Sequence, residues 1–232
     1  SHRSDNFVED FRQTKRLLGR LVSAELVEIL LGSGTLANDA VAAQLSLEPG
    51  RGLILSNGEF GERLVDHATR FQLPFDVLQI DWGNALVPDD IRESLDHRPN
   101  LRWIWAVHCE TSTGVLNDLP ALRDLCAERQ IRLCLDCTSS IGTVPVDLRG
   151  IYLASGVSGK GLGSYPGLSM VFYHHPIRPA PKSIPRYLDL GLYAAEDGVP
   201  FTHSSNLLQS LRAALLRFDP DTRFNRIAEL SS

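Results

Sequence analysis

Short apolar segments alternate with amphipathic helical segments over the first 135 residues, and this alternation constrains the fold more than any other feature of the chain. Apolar runs predict strands, and stretches with apolar residues at helical spacing predict helices. We expect strands at residues 26–31, 53–55, 75–80, 101–107 and 131–135, and helices at 1–20, 35–47, 59–71, 89–95 and 119–128. Because strands joined through helices pair in parallel, the pattern predicts an α/β fold, a three-layer αβα arrangement with a mostly parallel central sheet.

The pattern changes after Asp136. Residues 152–154 and 168–173 look like strands, but a glycine-rich loop lies between them, which favours an antiparallel addition to the sheet. A proline-rich stretch at 176–185 predicts a surface loop, and residues 204–218 return to helical spacing. Because the chain begins at Ser1 and ends in a further helix-like stretch, we interpret it as a piece of a longer polypeptide.

Composition narrows the class of partner. The 232 residues carry 23 Lys and Arg against 28 Asp and Glu, for a formal net charge of −5, and 43% of them are hydrophobic. Such values are ordinary for a globular protein and argue against disordered or collagen-like chains. No apolar run approaches the roughly 18 residues of a membrane helix, and the mild acidity argues against a dedicated nucleic-acid binder. We therefore expect small-molecule partners, no nucleic acid and no membrane.

Cys134 and Cys137 have the CxxC spacing of redox pairs and zinc sites. No second pair completes a zinc site, and in a strand residues three apart point to opposite faces. We expect buried structural cysteines, no metal site and a reducing, cytoplasmic location.

A glycine loop follows the first predicted strand and precedes a helix. Gly32, Ser33, Gly34 and Thr35 would expose backbone N–H groups to an anion such as a phosphate. The loop also fits the dinucleotide-binding pattern GxGxxA. That pattern requires an acidic residue at the end of the next strand, but residues 56–58 there are Ser, Asn and Gly. A dehydrogenase and a plain strand-to-helix turn both remain open.

Three further segments follow predicted strands. Asp136 could hold a positively charged ring nitrogen or simply cap the following turn, and Lys160, among five glycines, could be a nucleophile or a solvated lysine. Residues 108–114 offer hydroxyl groups at the same sheet edge, or form a polar turn. Thr202 and its neighbours precede a helix, where capping is the simpler interpretation.

The order of these motifs resembles fold-type I pyridoxal-phosphate enzymes, and in detail the class V aminotransferase family. The matching segments are 32–35, 56–63, 108–114, 136–142 and the glycine-bracketed Lys160, with 188–190 and 201–202 similar to the 2-aminoethylphosphonate–pyruvate branch. Alanine–glyoxylate and serine–glyoxylate transaminases are similar as well. The resemblance covers nearly the whole chain and implies the large domain of a pyridoxal 5'-phosphate (PLP) transferase.

The resemblance implies a role for each matching residue. Lys160 would attach PLP covalently and move a proton between the substrate's α-carbon and the cofactor, and Asp136 would pair with the ring nitrogen. Phe60 and Thr138 would flank the ring, and Thr111 would hydrogen-bond its phenolic oxygen. The phosphate would be bound by Ser33, Gly34, Thr35 and Ser158, with Thr202 reaching the phosphate of the neighbouring subunit of a homodimer.

The resemblance also implies a domain division. Residues 1–218 would form the PLP-binding large domain, and 219–232 would begin a linker helix toward a C-terminal small domain outside this chain. That domain would supply the arginine that binds the substrate carboxylate. Gly159 departs from the family, where a larger polar residue precedes the lysine, and it argues against the desulfurase and kynureninase branches, which place a histidine there.

The implied activity is a transaminase that moves an amino group from a small amine or amino acid to a 2-oxo acid such as pyruvate or glyoxylate. Two alternatives stay open beside it: another class V PLP reaction of the lyase or desulfurase type, and a non-catalytic domain that keeps the fold. The dehydrogenase interpretation ranks third, and it predicts no role for Lys160.

Overall fold

The computed structural model describes residues 4–196 and 199–231. The first three residues of the predicted first helix, and the last residue of the predicted linker helix, lie outside these ranges.

Nine strands are present in the described chain: β1 Leu26–Leu31, β2 Arg51–Ser56, β3 Phe75–Gln79, β4 Leu101–Val107, β5 Cys109–Glu110, β6 Val115–Leu116, β7 Arg132–Asp136, β8 Leu153–Val157 and β9 Leu168–Tyr173. Its α-helices are α1 Asp5–Val22, α2 Gly34–Leu45, α3 Glu59–Arg70, α4 Pro88–Asp96, α5 Leu119–Glu128, α6 Leu190–Ala195, α7 Ser205–Leu216 and α8 Pro220–Ser231.

Seven strands form one sheet in the order β1-β9-β8-β7-β4-β2-β3, and β5 pairs with β6 in a separate hairpin. Pairings among β8, β7, β4, β2 and β3 are parallel, whereas β9 is antiparallel to both β1 and β8. The predicted three-layer αβα fold and the antiparallel addition are both confirmed. The connection from β8 to β9 is a short loop with no helix, and such a loop can only return the chain antiparallel.

Two apolar layers cover the two faces of the sheet. Neighbouring residues of one strand enter opposite layers, as Ile29 and Leu30 do in β1 and Ile104 and Trp105 do in β4. The cysteines follow the same rule, because Cys134 lies in one layer and Cys137 in the other, both fully buried. The expectation that this CxxC pair is structural is confirmed, since side chains on opposite faces cannot bond to each other.

The N-terminal helix α1 ties the C-terminal part of the chain to the sheet. It packs against α7 and β1, and the rings of Phe7 and Phe11 contact His203 at centroid distances of 5.9 and 5.1 Å. Beyond α7, Arg223 of α8 donates from Nε to the carbonyl of Gly142 at 2.9 Å. None of the helices in the described ranges is long and apolar enough to cross a membrane.

The strand directions decide where the polar motifs meet. Since β1 and β8 are both antiparallel to β9, strands β1, β2, β4, β7 and β8 all end at the same edge of the sheet. In open α/β sheets this carboxyl-terminal edge is where ligands bind.

Candidate active site

A cavity of about 360 Å³ lies at the carboxyl-terminal edge of the sheet. Its size falls in the range of about 300–1,000 Å³ typical of small-molecule sites. Seven of the ten predicted site residues line it: Ser33, Gly34, Thr35, Phe60, Asp136, Thr138 and Lys160. The loops after β1, β7 and β8 and the start of α3 bring them together from distant parts of the sequence.

The N-terminus of α2 opens onto this cavity. Ser33 is the N-cap residue, but its side chain makes no capping hydrogen bond to the helix. The positive end of the helix dipole and its first N–H groups therefore face a space that suits an anion. A Cβ atom on Gly34 would lie 2.9 Å from Cγ2 of Thr138, so only glycine allows the loop to approach β7 this closely.

Asp136 ends β7 and is 4% exposed. Its Oδ1 accepts hydrogen bonds from the backbone N–H of Thr138 at 2.8 Å, from Oγ1 of Thr138 at 2.7 Å and from Oγ of Ser155 at 3.4 Å. Among the described residues, its Oδ2 accepts only from Nδ2 of Asn38, at 2.8 Å. Since a carboxylate oxygen has two lone pairs, Oδ2 keeps one acceptor position for a ligand donor.

Asn38 lies one turn after Gly34 on α2 and also lines the cavity. Its amide oxygen is buried and has no hydrogen-bond partner among the described residues. A buried acceptor without a donor is costly and calls for an explanation, and a bound ligand with a donor group would supply one.

Lys160 lies in the loop between β8 and β9. Its Nζ donates to Oγ of Ser139 at 2.8 Å and stands 5.4 Å from the centroid of the Phe60 ring. The loop folds tightly, because a Cβ atom on Gly159 would lie 2.7 Å from Cα of Pro166. Any side chain at position 159 would therefore collide with the loop itself.

Helix α3 presents one face to the cavity. Phe60, Arg63 and His67 all line it, at the spacing i, i+3 and i+7 that places residues on one helix face. The guanidinium carbon of Arg63 lies 4.9 Å from the Phe60 centroid, and its Nη2 donates to Glu59 at 3.0 Å. Nδ1 of His67 lies 2.7 Å from Oδ1 of Asp39.

Three predicted site residues lie outside the cavity lining. Thr111 is exposed in the turn between β5 and β6, and Thr202 is exposed in the segment before α7. Ser158 is fully buried, and its Oγ donates to the carbonyl of Tyr165 at 2.7 Å while accepting from the N–H of Leu168 at 3.2 Å. The hydroxyl of Ser158 therefore closes the lysine loop.

The sequence interpretation missed four residues of this region: Asn38, Arg63, His67 and Glu110. Helical spacing could have indicated the first three, since Asn38 is four residues from Gly34, and Arg63 and His67 follow Phe60 on one face. Glu110 belongs to the segment 108–114 that the sequence analysis had selected for its hydroxyl groups. No local pattern indicates that its carboxylate turns toward α3.

Burial controls the ionisation of the groups beside the site. Desolvation raises the pKa of the half-buried Cys109 thiol, with Glu110 adding to the effect and Lys160 opposing it. Burial also raises the pKa of Cys137 far above its usual value and lowers the pKa of His108 to about 4. These three groups are therefore uncharged at neutral pH. Within residues 4–196 and 199–231, no three His, Cys, Asp or Glu side chains are grouped so as to hold a metal ion.

Comparison with known proteins places this geometry in a family. Among curated proteins, the chain is 35% identical over 227 residues to the soluble hydrogenase 42 kDa subunit of Anabaena cylindrica, covering 92% of this chain and 59% of that protein. It is 30% identical over 200 residues to the 2-aminoethylphosphonate–pyruvate transaminase of Pseudomonas entomophila (strain L48), covering 83% of this chain and 54% of that one.

A solved structure agrees with the observed fold. The alanine–glyoxylate aminotransferase from Nostoc sp. superposes with a TM-score of 0.85 at 29% identity, over 97% of this chain and 64% of that one. The chain spans just over half the length of the two curated relatives. The family model described as Aminotransferase class-V matches residues 1–173, which is most of the chain. This chain therefore belongs to the class-V aminotransferase family.

Proposed function

We propose that the protein carrying this chain is a PLP-dependent transaminase that moves an amino group from a small amine or amino acid to a 2-oxo acid such as pyruvate or glyoxylate. One observation carries the proposal: a lysine, a buried aspartate and an uncapped helix N-terminus line a single cavity. These three features match the carbonyl, the ring nitrogen and the phosphate of PLP respectively.

The residues around the cavity fit this cofactor. Ser33, Gly34 and Thr35 at the start of α2 would bind the phosphate, where the helix dipole favours negative charge. The free acceptor position on Oδ2 of Asp136 suits the protonated ring nitrogen. Phe60 and Thr138 would lie on the two faces of the ring. The glycine at position 34 and the unpartnered amide oxygen of Asn38 support a space shaped for a ligand.

PLP supplies an electron sink that stabilises negative charge on the substrate's α-carbon. The protein's part is to hold and move protons around it. Asp136 would keep the ring nitrogen protonated, and Lys160 would first anchor the cofactor and then carry the proton to and from the α-carbon. Ser139, which accepts a hydrogen bond from Nζ of Lys160, would orient that amine.

The three residues outside the cavity lining receive separate proposals. Thr111 keeps the proposed hydrogen bond to the phenolic oxygen, from its turn at the same sheet edge. For Ser158, whose only hydroxyl proton is donated to Tyr165, we propose a role in shaping the lysine loop in place of phosphate binding. Thr202 would reach the phosphate site of the neighbouring subunit in a homodimer, in line with its exposure.

The choice of substrates would depend on this chain and also on the C-terminal small domain expected outside it. The two curated relatives carry names with different activities, a hydrogenase subunit and a transaminase. We favour the transaminase because Lys160 and Asp136 share one cavity, an arrangement that PLP chemistry requires. The arginine for the substrate carboxylate is expected in the C-terminal small domain. A cytoplasmic location is proposed as well, in keeping with four cysteines that are all free thiols.

The proposal is tested by borohydride reduction of the full-length polypeptide after incubation with PLP, followed by peptide mass spectrometry. We expect one reduced adduct, on the peptide that contains Lys160. Lys160→Arg should lose it, whereas Lys182→Arg, a change at an exposed lysine of the 176–185 loop, should keep it. No adduct, or an adduct on another lysine, would contradict the proposal.

A second measurement separates transamination from its alternatives. We expect the loaded protein to form alanine from pyruvate, or glycine from glyoxylate, at the expense of an amino donor. Covalent PLP with elimination or desulfuration products would favour the lyase or desulfurase alternative. Covalent PLP with no turnover of any amine would favour a non-catalytic domain.

A further inference from the structure

Glu110 is a carboxylate with no exposure to solvent, at the end of the two-residue strand β5. Its Oε2 accepts from the backbone N–H groups of Phe60 and Gly61, at 3.0 and 3.1 Å. Its Oε1 accepts from the N–H and Oγ of Ser112, at 3.2 and 2.5 Å. Both oxygens are thus saturated, and each joins Glu110 to a different segment of chain.

The segment on the Oε2 side is the first turn of α3. A helix leaves its first N–H groups without intrahelical partners, and the N-cap residue of α3 is Gly58, which has no side chain to satisfy them. Glu110 supplies the missing cap from the β5–β6 hairpin, 50 residues away from Phe60. The negative charge also lies at the positive end of the helix dipole.

The sequence around α3 is adapted to this distant cap. A Cβ atom on Gly58 would lie 2.5 Å from Cδ and Cγ of Glu110 and 2.8 Å from Oγ of Ser112. Any other residue at position 58 would push the carboxylate away. Oγ of Ser112 also accepts from the N–H of Glu59 at 3.1 Å, so hairpin and helix are joined at three successive amides of α3.

One of the two α3 amides that donate to Glu110 belongs to Phe60, whose ring lines the cavity and has two cations near it. Nζ of Lys160 lies 5.4 Å from its centroid and the guanidinium carbon of Arg63 lies 4.9 Å from it. A shift of the first turn of α3 would therefore move the ring relative to Lys160. We propose that Glu110 is a positioning residue that fixes the Phe60 ring against the cofactor plane, an inference that rests on the proposed PLP function.

Both carboxylate oxygens of Glu110 are needed, because each accepts from a different segment. Glutamine has one carbonyl oxygen, and its NH₂ group would face either the N–H groups of α3 or the N–H and hydroxyl of Ser112. One of the two segments must lose its acceptor in Glu110→Gln. Ser112→Ala is a milder change, because it removes the hydroxyl link to Glu110 and to Glu59 but leaves the bonds from Phe60 and Gly61 to Glu110 in place.

The test measures PLP binding by absorbance titration of the full-length protein, together with the visible circular dichroism of the bound cofactor, which reports how its ring is held. Stacking on an aromatic side chain accounts for about a three- to tenfold gain in affinity. We expect Glu110→Gln to weaken PLP binding by about that factor and to reduce the dichroism, and Ser112→Ala to do so to a smaller degree. Asp118→Ala is the matched control, since Asp118 caps α5 at 2.9 Å and lies away from the cavity.

A double-mutant cycle with Phe60→Leu shows whether Glu110 acts through the ring. We expect Glu110→Gln to have little further effect once the ring is absent. The inference is overturned if Glu110→Gln binds PLP with unchanged affinity and dichroism, if its effect persists in full with Phe60→Leu, or if Asp118→Ala causes an equal loss. Failure of the unaltered protein to bind PLP would instead overturn the proposed function.

Discussion

Gly34 is a position where one methyl group decides the shape of the site. A Cβ atom there would lie 2.9 Å from Cγ2 and 3.4 Å from Cβ of Thr138. Because the loop at Gly34 would bind the cofactor phosphate, relieving this contact must move either the loop or Thr138. We expect Gly34→Ala to weaken PLP binding about tenfold, or about 1.4 kcal/mol, within the usual cost of overpacking.

The same contact provides the control for this prediction. Thr138→Ser removes Cγ2 but keeps the hydroxyl that donates to Oδ1 of Asp136 at 2.7 Å. Absorbance titration should show that Gly34→Ala in the Thr138→Ser background binds PLP as tightly as Thr138→Ser alone. An equal tenfold loss in both backgrounds would mean that the steric explanation is wrong.

At this scale the sequence predicted residue types better than it predicted contacts. Asp136 and Lys160 were recognisable because they stand where parallel strands end and because the motifs resemble a known family. Glu110 and Asn38 were not, since their roles depend on hydrogen bonds to residues 50 and 98 positions away in the chain. The role of Ser158 depends on its contacts as well, because its hydroxyl donates to the carbonyl of Tyr165 within the lysine loop.

Among the helices and strands, α1 joins the start of the described chain to its C-terminal part, because it packs against α7. Its buried face, which includes Phe11 and Leu18 at 0% exposure, packs against α7 and β1. We expect Leu18→Ala to lower the free energy of unfolding by about 2–5 kcal/mol, the usual cost of emptying a buried leucine site. Urea denaturation measures this directly.

Leu216→Ala provides the comparison, because Leu216 ends α7 and is 60% exposed. Its loss should change the free energy of unfolding by less than about 0.5 kcal/mol. If Leu18→Ala lowered the free energy of unfolding as little as Leu216→Ala does, the α1 interface would contribute little to stability.

The sequence predicted most of the regular elements, because their apolar spacing is long enough to distinguish period 2 from period 3.6. It missed α6, β5 and β6, which have six, two and two residues. Such short elements show no period of their own. The helix α6 begins instead at a side-chain cap, where Asp189 accepts from the N–H of Leu192 at 3.3 Å.

At the scale of the whole molecule, hydrogen bonds at the carboxyl-terminal edge of the sheet hold together both the fold and the candidate site. The β5–β6 hairpin follows β4 directly, and His108, between β4 and β5, donates its backbone N–H to the carbonyl of Asp136 at 3.0 Å. The hairpin that carries Glu110 thus shares one hydrogen-bonded edge with β7. We therefore expect loss of the fold and loss of the site to occur together when the edge is disturbed.

His108 makes this edge sensitive to acid. Its imidazole is 3% exposed, and burial lowers its pKa to about 4, from about 6.5 in an unfolded chain. Between these two values the unfolded chain binds a proton that the folded protein does not, so the free energy of unfolding falls as pH falls from about 6.5 to about 4. The full difference corresponds to about 3 kcal/mol, at about 1.4 kcal/mol per pKa unit.

Urea denaturation at pH 7, 6 and 5 tests the effect against His108→Gln, which keeps a polar side chain but cannot titrate. We expect the unaltered protein to lose about 2 kcal/mol more than the variant between pH 7 and pH 5, since about one and a half pH units of that range lie below the unfolded pKa. Asp147, whose pKa its neighbour Arg149 lowers to about 2, contributes only below this range. Parallel pH profiles for the two proteins would show that His108 is not the group responsible, and the acid sensitivity would then have to come from other buried groups.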